Sequence, residues 1–282
     1  MNTNQCFSFA RLGMVMKRDW MENWKFNLRF FLAVFLAYLA AYLFFMNVFA
    51  DDSHREVDSY IVFHYVGFAA INSFSLLLFA AEMMRNMRTK ESRLSNLMLP
   101  ASSLEKFLAR ALIVTFGGTL MIILASLLAE LVHWTFIPFF DAFPDKFKVW
   151  IWGGKGLKIG PLGLHLGEYS FVIKGITSMM YGLWWHSLFI LGGNFFRKSP
   201  FSKMITIMVL LIITLSFVAN LLGVGEVWNL LRPFMAFIQH SSPEMLYVLE
   251  VVVFSCLTAL NWWLSYKLFT RRQVIEPKFR LL

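Results

Sequence analysis

Six stretches of the chain are long and apolar enough to cross a bilayer, with most charged residues between them. A hydrocarbon core about 30 Å thick needs ~20 helical residues at 1.5 Å each. The qualifying stretches lie at about 28–50, 60–83, 107–134, 169–196, 204–222 and 245–269. Ahead of them, Phe9, Leu12, Met16, Trp20 and Trp24 recur at three- and four-residue spacing. Arg11, Lys17, Arg18, Asp19, Glu22 and Lys25 fall mostly on the other faces. That pattern predicts an amphipathic helix over 9–26 lying along the inner leaflet. The expected fold is an all-α membrane protein, a single transmembrane domain over 1–282 with an N-terminal interfacial helix.

The connections differ. The inner loop 84–106 is strongly basic and contains Pro100. Its first half reads as a short basic helix continuing from the second span, with Leu94, Leu97 and Met98 on one side. Pro100 stops it, because a proline disfavours helix at the residue before it. Ser102 or Ser103 then caps the third helix, with Glu105 or Lys106 in its first turn. The result is a helix–break–helix elbow suited to docking. The outer segment 135–168 is aromatic first (Phe136, Phe139, Phe140, Phe143, Trp150, Trp152) and glycine-rich afterwards. Between the last two spans, Trp228, Leu231 and Phe234 belong to an apolar stretch interrupted by Pro233, read as two short re-entrant or interfacial helices.

Composition agrees. Of 282 residues, 58% are hydrophobic and 15% charged, where soluble domains hold about 45–50% and about 25%. A soluble fold of this length has no means of hiding that much apolar surface. A net charge of +9 would point a soluble protein to nucleic acid; here it is better explained by cytoplasmic loops, and no nucleic-acid partner is expected. With six spans, 19 of the 26 Lys and Arg residues fall on the side of both termini and 6 on the other. The termini are therefore expected in the cytoplasm. Cys6 and Cys256, at opposite ends of the chain, form no disulfide framework and no metal spacing. The first apolar run is too long for a signal h-region and is expected to stay as an anchor.

Ionisable and amide groups inside spans are costly and therefore candidate pathway residues. Lys174, Glu130 and Glu250 fall near outer ends, where snorkelling lowers the cost; His186, Asn194 and Asn72 lie deeper. Interhelical hydrogen bonding is the competing reading for each. No P-loop, no His-Glu-x-x-His and no Gly-x-Ser-x-Gly occurs, and the six histidines are scattered. No catalytic, cofactor or metal residue is expected in this chain.

The layout resembles the membrane subunit of an ABC-2 type exporter, a permease without its own ATPase. The strings Leu97-Met98-Leu99-Pro100-Ala101-Ser102-Ser103-Leu104-Glu105-Lys106-Phe107 and Gly192-Gly193-Asn194-Phe195-Phe196, and the end from Tyr266-Lys267-Leu268-Phe269 to Gln273, are similar to ABC permeases of the Bacteroidetes group. The long outer segment departs from that pattern. The resemblance implies a bacterial inner-membrane protein that pairs as a homodimer among membrane lipids, with the path at its interface and one cytoplasmic ATPase, which binds the ATP, on each subunit. It implies a coupling helix over 88–99, with Arg88, Glu91, Arg93, Leu94 and Leu97 as contacts and the 9–26 helix beside it, and an outer hairpin over 227–238 that narrows the exit. Two other readings stay open. One is a non-transporting scaffold or sensor that recruits a protein to the basic elbow; the other is a lipid-modifying enzyme using Glu130, His133 or His186.

Overall fold

A computed structural model describes residues 7–50, 57–136, 168–196, 198–222 and 243–274. The described residues form helices and no strand: α1 (Phe9–Glu22), α2 (Trp24–Ala50), α3 (Val57–Ala81), a 3-10 segment (Glu82–Met87), α4 (Lys90–Leu97) and α5 (Ser103–Leu112). A π-helical segment (Ile113–Gly117) joins α5 to α6 (Gly118–Phe136); then follow α7 (Glu168–Phe195), α8 (Pro200–Leu222) and α9 (Pro243–Val274). Their contacts divide the chain into two units, Met1–Phe79 with Pro100–Gly163, and Ala80–Leu99 with Leu164–Leu282.

In the first unit α2 packs against α3 in the opposite direction and beside α5–α6 in the same direction. Phe30 meets Phe79 with ring centroids 4.7 Å apart, and further along α2 Tyr42 meets Phe68 at 4.8 Å, so the two chains run antiparallel. Tyr42 also stacks on His133 of α6 at 4.1 Å, while Arg11 and Asp19 of α1 pair with Glu105 and Arg110 of α5. Numbers rise together on both sides, so α1–α2 and α5–α6 are parallel. Gly118 sits where a Cβ would lie 2.6 Å from the Phe79 ring, and that close approach seats α6 on α3.

In the second unit α7 and α9 run parallel. Met180 lies opposite Ser255, Ser187 opposite Asn261 and Asn194 opposite Ser265. The N-terminal part of α9 therefore lies by that of α7, and the chain has to travel back between them. The 23 residues of α8 cover about 34 Å of that return at 1.5 Å each. α8 leaves α7 through a turn at Ser199, which takes φ 48°, and Phe201 rests on Phe189 at 5.6 Å.

Five helical stretches among the described residues are long and apolar enough to cross a membrane: Trp24–Phe44, Val66–Met87, Ser103–Thr135, Pro200–Leu221 and Met245–Arg271. The chain is a membrane-embedded helical protein. α7 has the length, 28 residues, but Trp184, Trp185, His186 and Asn194 dilute its apolar character. Beyond Pro200 no residue of the α8 stretch is buried by the protein, although it is the most apolar of the five. Ser103–Thr135 spans 33 residues, about 50 Å, well beyond a 30 Å hydrocarbon core. Glu105, Lys106 and Arg110 occupy its first turns, so α5 carries this helix out of the apolar layer.

Two sequence expectations need correction. The first helix ends at Glu22, not 26, because Asn23 leaves helical geometry (φ −101°, ψ 9°) and its side-chain amide donates to the Asp19 carbonyl at 2.8 Å. Nor does the elbow helix continue the second span. Met84 (φ −97°, ψ 19°) interrupts the 3-10 segment, and Thr89 restarts the helix as an extended N-cap whose side chain accepts from Ser92 N. A β-hydroxyl that satisfies a free helix N–H favours a new start over continuation.

Candidate functional site

The elbow up to Leu99 is built from two short pieces, each fixed locally. Its root is the 3-10 segment, where Met83, Met84 and Met87 are buried and Glu82 binds Arg88 at 2.9 Å and Arg85 at 3.6 Å. Its crest is α4, two turns capped by Thr89 and ended near Pro100. Beyond Pro100 the chain enters the other unit, where α5 starts with a capping box in which Ser102 accepts from Glu105 N and Glu105 accepts from Ser102 N. The capping site left open between two serines is thus Ser102.

Along the crest, Glu91 is exposed, Leu94 is 50% exposed, Leu97 45% and Met98 83%. Apolar side chains left this open beside a charged residue, on a helix outside the hydrocarbon, are suited to contact with another protein. Arg93 is half-buried. Arg88 does not join this face: it precedes α4, and its guanidinium is held by Glu82. Of the five coupling residues expected from the resemblance, four share the helix and Arg88 braces its root.

A second polar arrangement escaped the sequence reading. Glu105 is fully buried and saturated on both oxygens. Oε1 accepts from Ser8 N at 2.7 Å and from Arg11, whose Nη2 is 3.1 Å away; Oε2 accepts from Ser102 N at 2.8 Å. One carboxylate therefore caps α5 and holds the start of α1. Two turns on, Asp19 and Arg110 form a buried ion pair of 2.8 Å, with side chains 9% and 7% exposed. The residues of α1 turned inward are Leu12 and Asp19, joined by Asn23 just past its end, while Phe9 and Trp24 of the expected apolar stripe are exposed. The partner explains the choice of face, since α5 offers an arginine and a glutamate that lipid does not. Asp19 and Arg110 at matching depth on two amphipathic helices were the available signal.

The intramembrane candidates separate. Asn72 accepts a hydrogen bond from the Tyr38 hydroxyl. Glu130 and His133, one turn apart on α6, are both buried, and His133 lies flat on Tyr42. His186 is buried on α7, Asn194 donates to Ser265 at 2.7 Å, and Glu250 is exposed on α9. Asn72 and Asn194 thus hold helices together. Lys174 lies on α7, with its side chain outside the described residues. The outer segment over 137–167 and the hairpin with Trp228, Leu231 and Phe234 also lie outside them. Among the described residues no group of three His, Cys, Asp or Glu is placed to hold a metal ion.

These features define a polytopic helical membrane protein with a capped, exposed helix between its second and third long helices. Comparison with family models, with curated proteins and with solved structures finds no match for the chain.

Proposed function

We propose that this chain is the membrane-spanning subunit of an ATP-driven exporter of the ABC-2 type, working as a homodimer with a separate cytoplasmic ATPase on each copy. The observation that carries the reading is α4: a short helix capped at its start, braced at its root and bearing exposed Leu94, Leu97 and Met98. A solvated loop would need neither the cap nor the brace. The excess of Lys and Arg in the inner segments supports a cytoplasmic position for α4 and both termini, and in this reading the membrane is a bacterial inner membrane. In this reading six helices cross the bilayer, α4 fits a cleft in the ATPase, and closure of the paired ATPases on ATP moves the attached helices. The chain binds no nucleotide itself.

The test is purification of the tagged chain from its native membrane in mild detergent, with bound proteins identified by mass spectrometry. A stoichiometric ATPase is expected, lost in Leu94→Asp and in Glu91→Arg while the unfolding temperature stays that of the parent. A complex that survives both substitutions removes α4 as the coupling site. A preparation free of ATPase, under conditions that preserve other membrane complexes, favours a scaffold or a lipid-modifying enzyme instead.

A further inference from the structure

Three consecutive residues of α7 reach three different elements. Neighbours on an α-helix point about 100° apart, since 3.6 residues make a turn. Gly192 therefore faces α8, where a Cβ would collide with the Met204 side chain. Gly193 faces the end of α3, where a Cβ would lie 2.6 Å from the Ala81 carbonyl oxygen and 3.1 Å from its carbon. Asn194 faces α9 and donates to Ser265. The obstacle at Gly192 is a flexible side chain that is free to turn away. The one at Gly193 is backbone, and it has to move as a piece.

That piece is the root of the elbow. Ala80 and Ala81 are fully buried, the three methionines that follow are buried, and Glu82 ties forward to Arg85 and Arg88. Thr89 then starts α4 immediately. Between the seat at Ala81 and the start of α4 lie the buried 3-10 segment, which also packs on α7, then Arg88 held by Glu82 and the N-cap Thr89, so the Ala81–Gly193 contact stands at the base of a short, tied connection. The contact clusters agree: the stretch Ala80–Leu99 belongs with α7, α8 and α9, whereas α5 belongs to the other unit.

We propose that Gly193 is a positioning residue that mounts the docking helix α4 on α7, so that a displacement of α4 is delivered first to the α7–α9 pair. The inference rests on the exporter reading for what pushes α4, while the mounting itself is a property of this chain alone. The missing side chain at Gly193 is what lets the backbone of α3 and α7 touch. Close approach through small residues is the usual way helices gain contact in a bilayer. Here it ties an exposed helix to a buried one.

The test uses the purified full chain with Cys6 and Cys256 replaced by serine and spin labels at Asn96→Cys on α4 and Arg271→Cys on α9. Pulsed-dipolar distances are compared between the parent, Gly193→Ala and Gly182→Ala. Gly182 lies on the same helix and has nothing within 4 Å of an added Cβ. A narrow parent distribution is expected, unchanged by Gly182→Ala and shifted or broadened by Gly193→Ala. Should Gly193→Ala fail to fold, Glu82→Gln, which adds no bulk but loosens the root, is expected to broaden the same distance. Parent-like distances in a folded Gly193→Ala, equal shifts for both glycine variants, or a parent-like Glu82→Gln where it stands in would overturn the mounting. No ATPase is present in this measurement, so failure of the exporter reading leaves its result intact.

Discussion

The two units each hold a pair of parallel helices, and they hold them with different chemistry. α1 and α5 are joined by charges, Arg11 on Glu105 and Arg110 on Asp19. α7 and α9 are joined by neutral groups, Ser187 with Asn261 and Asn194 with Ser265. The difference follows from where each pair sits along its helices. α5 precedes the apolar part of a helix too long for the hydrocarbon, so its charges escape the worst desolvation. The Ser187–Asn261 contact falls among Trp, Leu and Phe, where an ion would cost several kcal/mol and a neutral amide or hydroxyl much less. The clasp at the charged start of α5 is ionic, and the Ser187–Asn261 contact in the apolar stretch of α7 is neutral.

The sharpest way to break this comparison is to remove one charge. Arg110→Met leaves Asp19 buried without its counter-ion, held only by the Asn23 amide, which should cost about 3–5 kcal/mol and lower the unfolding temperature in detergent. Asp19→Leu combined with Arg110→Met should recover most of that loss, because two apolar residues replace an ion pair at little cost. A single variant as stable as the parent would mean that the clasp is solvated. Asn261→Leu sharpens the other side. Inside a bilayer a side-chain hydrogen bond averages about 0.6 kcal/mol, so reversible unfolding should show a small loss, several-fold below that of Arg110→Met. A loss as large as the clasp's would reject this difference. Least affected should be Glu22→Gln, which breaks an exposed i,i+4 pair with Arg18 (2.6 Å) worth about 0.2–0.5 kcal/mol; that loss should shrink further in high salt.

The long helices were legible because a bilayer imposes a length and an apolarity that the sequence has to meet. Their ends moved by a few residues, as with α2 beginning at Trp24 instead of 28 and α9 running to Val274. Pro100 and a cap at Ser102 or Ser103 were legible for a similar reason, since helix starts are set by local groups; the choice of Ser102 and its box with Glu105 came from the structure. Tertiary choices were not. Spacing alone ranked Phe9, Trp20 and Trp24 as the sticky face of α1, and only the partner α5 shows why Asp19 turns inward. Thr89 as a helix start was hidden in a basic run whose composition suits a helix throughout. Gly192 and Gly193 entered only as part of a string similar to ABC permeases, and nothing in the sequence marked the Ala81 carbonyl as the neighbour of one of them.

The π-helical segment Ile113–Gly117 has a counterpart across the helix pair. Asn23 interrupts α1–α2 at nearly the depth at which the wider turn interrupts α5–α6; Trp20, three residues earlier, already rests on Gly117, whose added Cβ would lie 3.1 Å from the indole ring. A π turn inserts one residue into a helix and rotates everything beyond it by a fraction of a turn. The two irregularities thus act like matched stitches dropped from two adjoining rows, keeping Asp19 over Arg110 below and Tyr42 over His133 above. A wheel drawn through 103–136 as one uninterrupted helix therefore gives false neighbours for half its length. An insertion or deletion near Thr115 would be tolerated only with a matching change beside Asn23, so the two helices are free to change length only together.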